Sequence, residues 1–213
     1  MGYKIGVVSQ KGGVGKSTLA RSTASTYAAA GWNVKIADLD INQSTSFSWL
    51  QRRLKSGITP VVNVECFGTL SQALRVADAY DLMIFDGAPH ATKATVEIAK
   101  VSDLLVLPTG LSLDDMEPTV ILANALANKH GIESGKICFA LCRAGNSEKE
   151  LAEAREYLSE TPFHLLDGVM FEKTAFRRAH DSGLAAIETP YKGPREQADQ
   201  LIQSIINRLQ HQQ

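Results

Sequence analysis

The sequence predicts an α/β fold, in which a doubly wound, mostly parallel central sheet is flanked by helices. Apolar strand-like runs alternate with helical stretches along the 213 residues. These runs lack the polar alternation of a half-exposed strand, which indicates burial on both faces and therefore a parallel sheet covered by helices. No long linker, repeat or low-complexity segment interrupts the alternation, so we expect one domain that spans residues 1–213.

The individual elements follow from the hydrophobic pattern in chain order. Strands are predicted at residues 5–8, 34–37, 61–64, 82–85, 104–107, 137–141 and 165–170. Helices are predicted at residues 16–30, 45–55, 70–79, 92–100, 117–129, 148–159, 174–182 and 196–209. The last helix carries an apolar stripe formed by Ala198, Leu201, Ile202, Ile205, Ile206 and Leu209. Because its polar face is rich in glutamine and has little positive charge, we expect the stripe to pack on the sheet rather than insert into a membrane.

Composition and charge are those of an ordinary globular protein. A hydrophobic content of 44% and a formal net charge of −1 are typical of soluble domains. No stretch approaches the ~20 apolar residues of a membrane span, and the first strand begins too early for a signal peptide to precede it. The nearly neutral charge gives no global attraction to nucleic acid, so any such binding has to use local basic patches.

The three cysteines, Cys66, Cys138 and Cys142, do not form a disulfide framework in a chain of this size. Cys138 and Cys142 lie four residues apart in a predicted strand, which places both on one face as small buried hydrophobes. A metal or iron–sulfur role for this pair is the less favoured alternative. We therefore expect a cytoplasmic protein.

The turn after the first strand carries a phosphate-binding pattern. Residues 10–18 are Gln-Lys-Gly-Gly-Val-Gly-Lys-Ser-Thr, and they join a strand to an alanine-rich helix. Such a glycine-rich turn leaves several backbone N–H groups directed at one point, and a helix N-terminus behind it favours a phosphate there. Lys16 would reach the terminal phosphates, and the Ser17 hydroxyl would bind Mg²⁺. The loop therefore predicts a nucleoside triphosphate site.

This loop differs from the standard P-loop in two respects. Gln10 stands where the standard pattern has its first glycine, and Lys11 supplies a second lysine. One lysine and Mg²⁺ already balance much of the charge of a triphosphate. Lys11 is therefore either a solvated loop residue or a group that reaches the nucleotide of a partner subunit in trans, as an arginine finger does. The specificity of the whole motif favours the second interpretation.

Residues 11–18 resemble the deviant Walker A loop of the ParA/MinD family of P-loop ATPases. The resemblance implies that the nucleotide is bound by Lys11, Gly12, Gly13, Val14, Gly15, Lys16, Ser17 and Thr18, and that Lys11 and Lys16 are catalytic. It also implies ATP and Mg²⁺ as cofactors, slow ATP hydrolysis that a partner stimulates, and homodimers that form on ATP binding and can extend to higher-order assemblies. Members of this family position plasmids, chromosomes or protein machines.

Two carboxylates follow the second predicted strand, Asp38 and Asp40. They lie at the sheet edge where doubly wound folds bind ligands, although a cap of the turn is the alternative role. Residues 38–40 match the start of the family motif D-x-D-P-Q. The resemblance assigns Asp40 to positioning the attacking water, and Asp38 to the Mg²⁺ hydration shell and switch I. Ile41-Asn42 replaces the Pro-Gln of the motif, which leaves the geometry of switch I open.

Asp86 ends an apolar strand in the manner of a Walker B motif, where it would hold a Mg²⁺-bound water or the Ser17 hydroxyl. The Gly87 N–H, at the start of switch II, could sense the γ-phosphate. We interpret His90 as a switch or surface residue rather than a general base. Arg143 lies where relatives contact the adenine region, with a salt-bridged or solvated arginine as the alternative.

Basic residues at the seventh predicted helix, Lys173, Arg177 and Arg178, suggest a DNA-binding surface. The resemblance implies non-specific binding through phosphate contacts, whereas simple surface charge is the alternative. The favoured function is a partition ATPase, associated with the nucleoid and working with a small centromere-binding adaptor protein, without membrane binding. A positioning ATPase for a protein cargo or a conjugation apparatus, and a metabolic P-loop enzyme, remain open. The iron–sulfur relatives are disfavoured because residues 86–136 contain no cysteine.

Overall fold

The computed structural model describes residues 2–89 and 93–211. Its strands are β1 Tyr3–Val7, β2 Val34–Asp38, β3 Asn63–Cys66, β4 Leu82–Asp86, β5 Leu104–Thr109, β6 Ile137–Ala144, β7 His164–Leu165 and β8 Met170–Phe171. Its helices are α1 Lys16–Ala29, α2 Thr45–Lys55, α3 Leu70–Ala77, α4 Lys93–Val101, α5 Leu113–His130, α6 Glu148–Ser159, α7 Thr174–Asp181 and α8 Lys192–Gln210. Short 3₁₀ turns occur at Ser134–Lys136 and Ala186–Glu188.

The strands form one sheet in the order β3-β2-β4-β1-β5-β6-β7, and β8 also pairs with β6. All strand pairings in the described residues are parallel, which confirms the predicted fold class. The chain winds from β1 toward β2 and β3 on one side and toward β5 and β6 on the other. The carboxyl ends of β1, β2 and β4 therefore meet at a topological switch point, where doubly wound folds bind their ligands.

Both faces of the sheet are covered, because successive strand residues point to opposite sides. Ile84 and Val106 belong to the core on the side of α1 and α8, whereas Phe85 and Leu107 belong to the core under α3 to α6. The apolar stripe of α8 packs in the first of these cores, which confirms the expected packing. No helix of residues 2–89 and 93–211 is long and apolar enough to cross a membrane.

Cys138 and Cys142 are both fully buried in the core that contains α8, as the sequence predicted. Burial raises the pKa of each thiol to about 12, so both remain protonated and apolar in character.

Several predicted boundaries are wrong. Strand β3 lies at Asn63–Cys66 rather than residues 61–64, and β6 extends to Ala144; three further elements differ for identifiable reasons. Residues 165–170 form two short strands rather than one, because Gly168 adopts a left-handed φ of 79° that turns the chain between β7 and β8. Helix α5 begins at Leu113 instead of residue 117, with two acidic residues in its first turn where the helix dipole favours negative charge. Helix α8 begins at Lys192 instead of residue 196. Pro194 is tolerated there because first-turn N–H groups have no intrahelical partner.

The turn at Gly168 gives a test of the fold. A Cβ atom at this position would lie 2.6 Å from the backbone nitrogen of Leu201 in α8. Gly168→Ala is therefore expected to lower the free energy of unfolding by about 1–3 kcal/mol, measured by urea denaturation. Gly57→Ala is the matched control, because Gly57 also has a positive φ of 63° but has open space around its Cβ position. Equal losses for the two variants would contradict the close approach.

Candidate nucleotide site

The loop between β1 and α1 is shaped by its glycines. Gly13 and Gly15 have φ values of 72° and 105°, a region that side chains disfavour. Gly15 is also the N-cap residue of α1 and makes no side-chain cap, so the first turn of α1 has backbone N–H groups available for an anion. The hydroxyl of Ser9 accepts the Lys11 N–H at 3.0 Å and holds the entry of the loop.

A cavity of about 240 Å³ opens over this loop. It is lined by Gly12, Gly13, Gly15, Lys16, Ser17, Thr18, Arg21, Asp40, Gln43, Thr45, Gly87 and Pro89. The structure thus brings together the glycine-rich loop, the segment after β2 and the segment after β4, which are far apart in sequence. Two of the predicted loop residues do not line the cavity: Val14, whose side chain is buried in the protein, and Lys11.

The two loop lysines point in different directions. Lys16 is buried, and its Nζ donates to the backbone oxygen of Lys11 at 3.0 Å. Burial lowers the pKa of Lys16, while Asp86 and Asp40 act in the opposite sense. The side chain of Lys11 is 40% exposed, and its Nζ forms an ion pair with Asp115 of the same chain at 2.8 Å.

Asp38 is buried and holds the backbone of residues 40–47, the segment that corresponds to switch I in the resemblance. Its carboxylate accepts N–H groups from Asp40 at 3.1 Å, Ser46 at 3.0 Å and Phe47 at 3.3 Å. Asp38 therefore caps the first turn of α2. A cap of the turn was one of the two roles that the sequence left open for this residue, the other being a place in the Mg²⁺ hydration shell. Burial raises the pKa of Asp38, and these hydrogen bonds oppose the shift.

Asp86 lies beside Asp38, since the two residues are register partners on β4 and β2. It accepts the Ser46 hydroxyl at 2.7 Å. Burial, reinforced by the Asp38 charge, raises the pKa of Asp86 to about 6. The Ser17 hydroxyl contacts Thr45 Oγ1 at 3.1 Å, at the start of α2.

The predicted role of the Gly87 N–H is not supported by its geometry. Gly87 lines the cavity, but its N–H donates to the backbone oxygen of Val7 at 3.0 Å and thereby extends the pairing of β4 with β1. An N–H bonded in this way is not free to sense a phosphate. His90 lies outside the described residues.

Sequence reasoning missed two polar residues of the site, Arg21 and Ser46. Arg21 is buried on α1, one turn and a half after Lys16, and its Nε donates to the Ser46 hydroxyl at 3.2 Å. Burial lowers the pKa of Arg21 to about 10, with Asp86 acting in the opposite sense. An arginine in the alanine-rich helix directly after the phosphate loop was the available signal for Arg21, whereas nothing in the sequence marks Ser46.

A second cavity of about 200 Å³ adjoins the loop at Gly13, Gly15 and Thr18. Its other lining residues are Cys142, Arg143, Met170, Phe171, Glu172, Lys173, Phe176, Arg177 and His180. Arg143 therefore does lie beside the loop, with its Nε 3.5 Å from a Glu172 carboxylate oxygen. The two cavities share Gly13, Gly15 and Thr18 as lining residues. Both cavities therefore adjoin the N-terminus of α1.

Two of the three predicted DNA-binding residues lie at the second cavity. Lys173 donates to Asn146 at 2.8 Å and lies over the Phe171 ring. Arg177 donates to Glu172 at 3.0 Å, and both Lys173 and Arg177 line the second cavity. Arg178 is exposed and does not line it.

The sequence signature of the CobQ/CobB/MinD/ParA nucleotide binding domain matches residues 5–187. The chain belongs to this family. A relative, the maintenance of carboxysome distribution protein A of Gloeobacter kilaueensis, is 26% identical over 194 residues, which cover 90% of this chain and 87% of the relative. The glycine-rich loop, Asp38 and Asp86 all lie inside residues 5–187, which the family signature matches.

Solved structures of this family have the same fold. The cell division ATPase MinD of Pyrococcus furiosus superposes with a TM-score of 0.75 at 20% identity, covering 97% of this chain and 99% of that one. The apo McdA of Cyanothece gives 0.74 at 18% identity, covering 97% and 100%. A Borrelia burgdorferi B31 protein described as a plasmid partition protein, bound to AMPPNP, gives 0.73 at 17% identity, covering 97% and 99%. At these identities the likeness establishes the fold of ParA/MinD-type ATPases.

Proposed function

We propose that this protein is an ATPase that dimerises on binding ATP with Mg²⁺ and positions DNA, working as a partition ATPase with a centromere-binding adaptor. The observation that carries the proposal is the divergence of the two loop lysines. Lys16 is buried at the end of the loop, while Lys11 is 40% exposed and extends to the partly exposed carboxylate of Asp115. A single nucleotide needs only the first of them, which leaves the second for the nucleotide of another subunit.

The residues of the first cavity suit a magnesium triphosphate. The first-turn N–H groups of α1 and the Lys16 ammonium would bind the phosphates. Ser17 and Asp86 offer the hard oxygen ligands that Mg²⁺ prefers, and a cation beside Asp86 would relieve its repulsion with buried Asp38. Mg²⁺ supplies neutralisation of phosphate charge when it is bound. The base would extend into the second cavity, beside Arg143.

Asp40 is the residue that we assign to orienting the attacking water. It lines the cavity, and its backbone is fixed because its N–H donates to Asp38. Its own carboxylate accepts the Gln43 N–H at 3.3 Å, which ties it to the switch I turn. Catalysis in P-loop enzymes comes mainly from such positioning and from charge stabilisation. Loss of the γ-phosphate would then release the switch and the dimer.

The pairing of Lys11 with Asp115 gives the monomer a competing arrangement. In a dimer, Lys11 would exchange this carboxylate for the phosphates bound by the partner subunit. An exposed ion pair of this kind contributes about 0.2–1 kcal/mol, so the exchange is reversible. Dimerisation by ATP therefore requires breaking one weak contact within each chain.

A positioning ATPase for a protein cargo is the second candidate. The observation that favours it is the 26% identity with a protein named for carboxysome distribution. In either role, only Arg178 of the predicted patch is free of the second cavity, so DNA contacts would centre on the outer face of α7. The apolar stripe of α8 packs in the core and is therefore not presented to a membrane in this structure.

The trans role of Lys11 can be tested by light scattering and by retention on non-specific DNA. The wild-type protein should dimerise and retain DNA with ATP and Mg²⁺ but not with ADP. Lys11→Ala should weaken ATP-dependent dimerisation by about tenfold or more, since it removes a charge-assisted contact from each site. Lys129→Ala, at an exposed lysine on α5, is the control. Normal dimerisation of Lys11→Ala would rule out the trans role.

Asp40→Ala should bind ATP and dimerise normally, because the phosphate contacts remain. Its hydrolysis rate should fall by about a hundredfold or more, as expected when a water-positioning group is removed. The variant should therefore remain on DNA after the wild-type protein has been released, in a single-turnover release assay. Release at the wild-type rate would show that Asp40 does not orient the water.

Asp115→Asn tests the competing arrangement of Lys11. The change removes the ion pair and should lower the ATP concentration needed for half-maximal dimerisation by about twofold to fivefold. Asp114→Asn removes the same charge from the neighbouring exposed residue and serves as the matched control. If both variants behave like the wild-type protein, the ion pair does not oppose dimerisation.

A further inference from the structure

The first turn of α2 is fastened to the two buried acids of the nucleotide site. The Ser46 hydroxyl donates to Asp86 at 2.7 Å, and the Ser46 N–H donates to Asp38 at 3.0 Å. The same hydroxyl accepts the Nε of Arg21 at 3.2 Å. Any rearrangement at Asp86 therefore acts directly on the start of α2.

The second half of α2 is hydrogen-bonded to residues 180–188, which comprise the end of α7 and the chain that follows it and which we call the α7–α8 segment. Three of its side chains each donate to a backbone oxygen of residues 180–184: Trp49 to Leu184 at 3.0 Å, Arg52 to His180 at 3.0 Å and Arg53 to Gly183 at 3.2 Å. The three donors recur at helical spacing and so share one face of α2. Gly183 has a φ of 83°, and a Cβ there would overlap the backbone of Arg53, so the segment lies directly against the helix.

Arg53 anchors this contact and is fully buried. Its two terminal nitrogens donate to Glu188 at 2.7 and 2.8 Å, and its Nε and Nη2 donate to the Pro60 oxygen at 3.0 and 2.8 Å. Glu188 also accepts the Ala185 N–H at 2.7 Å. A buried ion pair is often no more stabilising than apolar packing, whereas its directional bonds fix one geometry. The pair therefore holds α2 and the segment in a defined arrangement.

We propose that α2 couples the nucleotide site to the α7–α8 segment, and that Arg53 and Glu188 are positioning residues for ATP hydrolysis. The inference rests on the proposed nucleotide site. Asp86 has two alternative partners, the Ser46 hydroxyl or a metal-bound water, and the exchange between them moves the first turn of α2. Because a helix is stiff and its far end is fastened through Trp49 and Arg53, the movement is passed to residues 180–188.

The α7–α8 segment is well placed to use this movement. Helix α7 supplies Phe176, Arg177 and His180 to the second cavity and exposes Arg178 on its outer side. Coupling between two binding sites is reciprocal, so an anionic ligand that engages the outer face of α7 would in turn change the state of switch I. Through this coupling, DNA bound at α7 would change the rate of ATP hydrolysis, and α2 would transmit the effect.

The sequence contains two tryptophans, Trp32 and Trp49. The guanidinium groups of Arg21 and Arg53 lie 5.9 and 5.2 Å from the ring centre of Trp49. In a Trp32→Phe protein, Trp49 is the only tryptophan and its emission reports on α2. Addition of ATP with Mg²⁺ should change this emission. Glu188→Gln in the same protein, which keeps the shape and removes the charge, should reduce the change.

The kinetic test is a double-mutant cycle on the ATPase rate with Ser46→Ala and Glu188→Gln. Glu188→Gln should change kcat by about twofold to thirtyfold while KM for ATP stays near the wild-type value. The effects of the two changes should not multiply, because they act through the same helix. Glu65→Gln is the matched control, since it removes the same charge from the partner of another buried cation, Lys35, and should leave kcat unchanged.

A merely structural role for Glu188 would lower the folded fraction without changing kcat per folded molecule. If Glu188→Gln folds poorly, Arg52→Gln replaces it, because Arg52 is partly exposed and also donates to the segment. Unchanged kcat, or effects that multiply independently, with normal ATP binding would overturn the coupling alone. Failure of the wild-type protein to bind ATP would overturn the proposed function and the coupling with it.

Discussion

The geometry of the site depends on two carboxylates that are buried side by side. Asp38 and Asp86 end neighbouring parallel strands in register, and both are almost inaccessible to water. Like charges in such a place require hydrogen-bond donors or cations. Asp38 takes backbone N–H groups from switch I and from α2, while Asp86 takes the Ser46 hydroxyl, with Arg21 close by. These bonds fix the position of the loop after β2 and the start of α2 relative to α1.

The same requirement connects structure to the proposed cycle. A buried acid that is held by a serine hydroxyl in one state, and by the hydration shell of a cation in another, has two discrete arrangements. In this structure the Ser46 hydroxyl is bonded to Asp86, and the Lys11 ammonium is paired with Asp115 of the same chain. Binding of a magnesium triphosphate would compete with both contacts. A nucleotide could in this way change the surface of the protein without altering its core.

Much of the fold and part of the site could be predicted because they depend on local pattern. The buried strands, the glycine-rich loop and the acids at the strand ends are all visible as short runs of residue types. The structure places the loop and Asp40 around one cavity, while Asp38 and Asp86 are buried beneath it. The parallel sheet explains this, because carboxyl ends of parallel strands share an edge. The comparisons establish the family and the fold, whereas the cargo depends on surface residues that a shared fold does not specify.

The sequence by itself determined the sheet, the phosphate loop and the burial of the α8 stripe, because hydrophobic period and loop chemistry act within a few residues. Only the tertiary structure decided which partner each polar group takes. In the folded protein the Gly87 N–H donates to the backbone oxygen of Val7, and Arg53 is buried in an ion pair with Glu188. Lys173 and Arg177 line the second cavity. These partners are joined by folding across long stretches of chain or by the exact orientation of a helix. No periodicity in the sequence encodes such pairings.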